Sequence, residues 1–74
     1  MINNNPKKIG ILISEAKVFR KWADRQPNPK RVRNWALFIG YLKQKGYGQN
    51  EREICVRMNI TPQDIQKVVK GYIL

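Results

Sequence analysis

The 74 residues make one domain, and a chain this short buries only about 60% of the surface its unfolded form exposes, so its core is marginal. Fifteen Lys and Arg stand against five Asp and Glu, a formal net charge of +10, which points to anionic partners: DNA, RNA, or less readily a membrane surface or an acidic protein. One cysteine excludes an intramolecular disulfide, and without histidine a zinc finger is excluded too, so no metal is expected and a reducing, cytoplasmic setting is the simplest inference.

Met1 to Lys8 is polar, with three Asn, Pro6 and two lysines, and reads as a flexible basic arm ahead of one helical domain over residues 9–74. Ile9 to Arg25 fits a helix. Ile9, Ile11, Leu12, Ala16, Val18, Phe19, Trp22 and Ala23 fall in one half of its wheel, with Lys17, Arg20, Lys21 and Asp24 in the other. A strand over Ile9 to Ile13 is the rival reading, because β-branched residues are dense there. That apolar run, Ile11 to Ile13, is too short to span a bilayer or form a signal-peptide core.

Gln26-Pro27-Asn28-Pro29 must end the first helix. A second is expected from Pro29 to about Lys45, stopping at Gly46, with Val32, Trp35, Ile39 and Leu42 as its core face and Phe38 at the border. Leu37 and Tyr41 form a separate apolar stripe on its other side. Tyr47-Gly48-Gln49 links it to the most telling segment, NEREICVRMNITPQDIQKVVKG, Asn50 to Gly71.

This segment has the signals of two short helices with a tight turn. Asn50 can cap the first, with Glu51 and Glu53 in the turn where the macrodipole favours anions. Asn59 stands where the chain must take positive φ. Thr61 can cap the second helix, Pro62 suits its first position, and Asp64 completes an acidic capping box. Gly71 offers a left-handed stop. Ile54, Cys55, Met58, Ile60, Ile65 and Val68 fall where such a unit needs small or apolar inward side chains. An ordinary helical hairpin is the bland alternative.

Over residues 51–71 the segment resembles the phage lambda-repressor/Cro-like helix-turn-helix family. Cys55 matches the small residue midway along that family's first helix, Asn59 its turn residue, Ile60 the apolar residue after the turn, and Ile65 and Val68 the branched residues of its second helix. Asn replaces the usual Gly at the turn, and the acid Glu51 stands where the family usually faces a phosphate. The resemblance implies an all-α domain of four helices, the last two a helix-turn-helix, that binds duplex DNA.

On a wheel starting at Gln63, Lys67 lies at about 40°, Lys70 at about 340° and Gln66 at about 300°, opposite Ile65, Val68 and Val69. That face of amide and ammonium suits base readout in a major groove. Phosphate contacts are expected from Lys43, Lys45, Gln49, Asn50, Arg52 and Thr61. Lys30, Arg31 and Arg33 are expected to form a second basic patch with Lys7 and Lys8 of the arm. Trp22, Trp35, Phe38 and Phe19 read as core, and Cys55 as a packed small side chain. With no His, no acid pair and no Gly-rich phosphate loop, neither an enzyme nor a cofactor is expected.

The expected function is sequence-specific double-stranded DNA binding by a small, nucleoid-associated, repressor-like regulator, acting as a homodimer. Two alternatives remain open: an RNA-binding or nucleoprotein-assembly module, favoured by exposed aromatics, and a protein–protein adaptor or inhibitor, favoured by one exposed patch of Leu37, Tyr41 and Ile73.

Overall fold

In the computed structural model, which describes residues 6–74, Ile9–Asp24 form one unbroken helix, α1. Leu12, Ala16, Phe19 and Ala23 recur at helical spacing and are all buried. One continuous buried stripe outweighs the β preference of the three isoleucines, so the strand alternative is not realised. Met1 to Asn5, most of the expected arm, lie outside the described residues.

The single helix expected from Pro29 to Lys45 is split. It forms α2, Pro29–Val32, and α3, Trp35–Gln44. Asn34 makes the break. Its backbone is extended, its Oδ1 accepts from the Leu37 N–H at 2.9 Å, and its Nδ2 donates to the Arg31 carbonyl at 2.9 Å. The Asn side chain thus offers the backbone local partners that compete with a continuous helix and favour a cap. The break rephases the faces. Phe38 is fully buried with Ile39 and Leu42, while Trp35 lies at the surface and Val32 is half-buried. Gly46, at φ +89°, ends α3, with Tyr47 N–H reaching back to the Leu42 carbonyl.

Two further helices follow, α4 (Glu51–Met58) and α5 (Pro62–Val68). The chain is therefore all-α, with five α-helices rather than four and no strand among the described residues. Gly71 does not stop α5 in a left-handed turn. A π-turn, Val69–Ile73, continues it, closed by Leu74 N–H on the Val69 carbonyl at 2.8 Å. The wider turn buries both Val69 and Ile73, and Arg20 of α1 donates to the Ile73 carbonyl at 3.1 Å. Ile73, which the adaptor alternative needs in an exposed patch with Leu37 and Tyr41, instead joins the core, leaving Tyr72 and Leu74 of the tail exposed.

The core gathers side chains from α1, α3, α4, α5 and the π-turn around Phe38, Leu12, Leu42, Ile54 and Ile65. Phe19 lies 5.6 Å, centroid to centroid, from Phe38, Tyr41 and Trp22. Glu15 of α1 accepts hydrogen bonds from the hydroxyls of both Tyr41 and Tyr47, tying α1 to α3 and to the linker after it. Burial works against the Glu15 charge, but the two phenol donors and nearby Lys45 prevail and hold its carboxyl below the usual range. Burial, then Glu15 itself, pushes the Tyr41 phenol up; for Tyr47 the Glu15 hydrogen bond leads. Among the described residues no helix is long and apolar enough to cross a membrane.

Candidate nucleic-acid interface

The unit α4–turn–α5 is fixed by its own sequence. Asn50 Oδ1 accepts from Glu53 N–H at 2.9 Å, and Glu53 in return accepts from Gln49 N–H at 2.9 Å. At the far end Asn59 takes the left-handed conformation (φ 53°, ψ 46°). Ile60 N–H then bonds the Cys55 carbonyl at 3.0 Å and Asn59 N–H the Val56 carbonyl at 3.3 Å, the paired bonds of a Schellman ending. Thr61 and Asp64 form the full capping box, at 3.1 Å and 2.9 Å. The backbone N–H of Thr61, followed by Lys7, holds the Asp64 carboxyl below the usual carboxylate range. Cys55 is buried beneath the turn. Burial first, then Glu51 and Asp64, push its thiol up, so the reactive thiolate is disfavoured.

α5 presents two faces. Ile65, Val68 and Val69 are buried, while Gln63, Gln66, Lys67 and Lys70 are all exposed. Lys70 belongs to the π-turn, whose extra width changes its angle from that of a straight helix. Gln49, Asn50, Arg52 and Thr61 are exposed around the starts of α4 and α5, with the side-chain oxygens of Asn50 and Thr61 accepting as caps. Lys43 and Lys45 are exposed at the end of α3, and Lys45 lies on the side of Glu15.

The second basic patch does not assemble as expected. Lys8 N–H bonds the Met58 carbonyl at 3.0 Å and Lys7 pairs with Asp64 at 3.2 Å, so both are rooted at the start of α5. Lys30, Arg31 and Arg33 sit past the other end of α1, where Arg33 lies 3.7 Å from Asp24. The 16 residues of α1 separate the two groups by about 24 Å. Arg33 is mostly covered, and its Nε has no hydrogen-bond partner.

Sequence reasoning missed what occupies the acids. Trp35 donates its indole N–H to Glu51 at 3.1 Å, Arg57 pairs with Glu53 at 3.4 Å, and Arg20 and Arg33 share Asp24. With Glu15 on its two tyrosines and Asp64 in its cap, every one of the chain's five carboxylates has an internal partner. Among the described residues only Lys7, Arg20, Arg33 and Arg57 of the fifteen cations form ion pairs.

This chain matches no protein-family model, no curated protein and no solved structure. Its interface therefore rests on its own geometry. Trp22 and Trp35, expected in the core, reach the surface at 42% and 37% exposure. With Leu37, Val18, Gly40 and Tyr41, Trp22 lines an open apolar groove between α1 and α3, on the flank of α1 away from α5.

Proposed function

We propose that this protein is a sequence-specific double-stranded DNA-binding regulator, repressor-like and of the kind carried by phages, plasmids and mobile elements, which reads a major groove with α5. The observation that carries this reading is the outer face of α5. Gln63, Gln66, Lys67 and Lys70 stand exposed over a buried apolar back, in a unit whose three acids are each engaged internally. Gln pairs bidentately with adenine edges, and Lys reaches guanine acceptors or phosphates. Arg52, Gln49 and the α4 and α5 starts supply backbone contacts, as do Lys7 and Lys8 beside the start of α5.

The reading includes a symmetric dimer, since one such unit spans few base pairs and two, about 34 Å apart, meet successive major grooves. With Ile73 buried, the Leu37/Tyr41 stripe, joined by Val18 and Trp22 along the groove, is the apolar surface assigned to a partner copy. The adaptor alternative loses the Leu37–Tyr41–Ile73 patch for the same reason. The exposed tryptophans lend support to a second reading, single-strand or RNA binding by base stacking. Against it, the Trp35 edge is tied to Glu51, and Trp22 lies in the groove against Phe19, away from α5.

Anisotropy titrations of duplex DNA, single-stranded DNA and RNA at several salt concentrations test the choice. Contact with about five phosphates gives a duplex slope of log K against log salt near −4.5, from about 0.9 per phosphate. Lys67→Ala and Lys70→Ala weaken binding to all duplexes, and Gln63→Ala relaxes base preference, a good bidentate pair being worth about 1–3 kcal/mol of discrimination. Tighter binding to single strands than to any duplex removes the reading.

A further inference from the structure

α5 and the π-turn run beside α1 in the same direction. Lys7, just ahead of α1, meets Asp64 in the first turn of α5. Farther along, Arg20 holds the Ile73 carbonyl, and the Lys17 ammonium lies 5.6 Å from the centroid of the Tyr72 ring. On the α1 wheel Lys21 lies about 40° from Lys17, and Arg20 about 60° on its other side, toward α5. Lys17 and Lys21 are both exposed, and Tyr72 is 39% exposed. Asp24, the acid on this flank, is taken by Arg20 and Arg33. The flank is thus a run of cations with no acid left over, beside a helix whose outer face is also free of acid.

We infer that this flank of α1 is a second contact surface for the duplex backbone, with Lys17 and Lys21 on phosphates and the Tyr72 hydroxyl donating to the same strand. The inference rests on α5 being the helix that enters the major groove. That groove is about 12 Å wide and a helix with its side chains measures about 10–12 Å across, so α5 fills it. An element packed against the side of α5 therefore meets the sugar-phosphate ridge bordering the groove. α1 is that element on the Lys7–Lys17 side. The Tyr72 ring holds the Lys17 ammonium close to the end of α5, where the ridge passes, instead of leaving it to range freely. Tyrosine hydroxyls and lysines are ordinary phosphate partners, and they add affinity and register without sequence preference.

The test is duplex titration between about 50 and 200 mM salt with the full chain and the variants Lys17→Gln, Lys21→Gln, Lys67→Gln and Arg25→Gln. Each lost phosphate contact lowers the salt slope by about 0.9, so over that fourfold salt range a variant loses about 3.5-fold less affinity than the parent. Lys17→Gln and Lys21→Gln are expected to lower the slope and weaken all sequences equally, with base preference unchanged. Arg25→Gln removes the same charge one turn past Lys21, where α1 turns toward the groove with α3, and is expected to keep the parent slope, since only cations in contact with phosphate release counterions. Parent-like slopes for Lys17→Gln and Lys21→Gln, with weakened binding for Lys67→Gln, overturn the inference and leave the α5 reading standing. An equal fall for Arg25→Gln also overturns it, because the effect is then one of net charge. A parent that shows no duplex binding overturns both. All of these substitutions are at exposed side chains, and equal urea midpoints confirm that folding is not what changes.

Discussion

Gly48 is where the linker after α3 passes closest to α4, and replacing it with alanine tests how the α4–turn–α5 unit is seated. A Cβ there would lie 2.8 Å from the Ile54 nitrogen, 2.9 Å from Ile54 Cγ1 and 3.2 Å from the Glu53 carbonyl carbon. Two of the three atoms are backbone of α4, and the Ile54 N–H is already bonded to the Asn50 carbonyl at 3.0 Å. Relief must come from moving the linker or the start of α4, since no flexible side-chain end is available to swing aside. Overpacking of this kind costs about 1–3 kcal/mol. A 74-residue domain has about 4–11 kcal/mol in total, at about 0.05–0.15 kcal/mol per residue. At about 4–8 °C per kcal/mol, Gly48→Ala should lower the melting temperature by about 4–24 °C in a circular-dichroism melt. Gly40 is the internal comparison. It sits inside α3, and a Cβ there meets nothing within 4 Å, so Gly40→Ala should stabilise by about 0.5–1 kcal/mol through helix propensity. If Gly48→Ala melts with the parent, the close approach of linker and α4 is not a feature of the folded protein.

Asn59→Ala should cost about 1–2 kcal/mol, because φ 53° places a Cβ in the left-handed region, and Asn59→Gly should cost less; urea midpoints in the reverse order would refute the turn geometry. The Glu15 cluster makes stability depend on pH at both ends. Its carboxyl is depressed in the folded state, so its contribution is full above about 4.5, the ordinary value, and is lost as pH falls through the folded one. The Tyr41 and Tyr47 phenols are raised, so their contribution is full below about 10 and is lost as pH rises beyond it. The parent's advantage in urea midpoint over Glu15→Gln should therefore be full at neutral pH and shrink as pH falls below about 4.5, and parallel curves would mean that the two phenols do not hold the carboxylate.

The parts of the fold written in local chemistry were legible in the sequence. Asn50, Asn59, Thr61, Pro62 and Asp64 each announce a cap or a turn, and the structure uses every one of them. The buried faces of α4 and α5 follow from spacing alone, as do Leu12, Ala16, Phe19 and Ala23 of α1, while Ile11, Val18 and Trp22 from the same half of the α1 wheel stay exposed because no helix packs over them. What failed was local competition and tertiary context. Asn34 reads as one more residue in an apolar helical pattern, yet its side chain makes two backbone bonds that end α2 and begin α3. Asn three residues before Leu37 was the available signal. Gly71 reads as a stop, but the Ile73 carbonyl has Arg20 waiting, 53 residues away in sequence, and burial of Ile73 carries the helix on as a π-turn. The exposed face of α5 could be read from a wheel. The α1 flank beside it could not, because only the docking of α5 on α1 brings Tyr72 to Lys17.

The distribution of acid leaves a marginal core with a large positive charge to carry. Each carboxylate stands at a joint: Glu15 between α1, α3 and the linker, Asp24 at the turn into α2, Glu51 between α4 and α3, and Glu53 and Asp64 at the starts of α4 and α5. Serving as joints, they have their charges met by internal partners, while most of the lysines and arginines on the described surface have none. Such a surface repels itself and works against the compact state. A polyanion that binds only the folded form removes that repulsion and adds stability in proportion to RT ln(1 + [L]/Kd), about 2.7 kcal/mol at a hundredfold excess over Kd. For a domain whose whole stability is about 4–11 kcal/mol, that is a large fraction. On the proposed reading, folding and anion binding are coupled through one surface, so the charge that burdens the free protein is the charge that steadies the bound one.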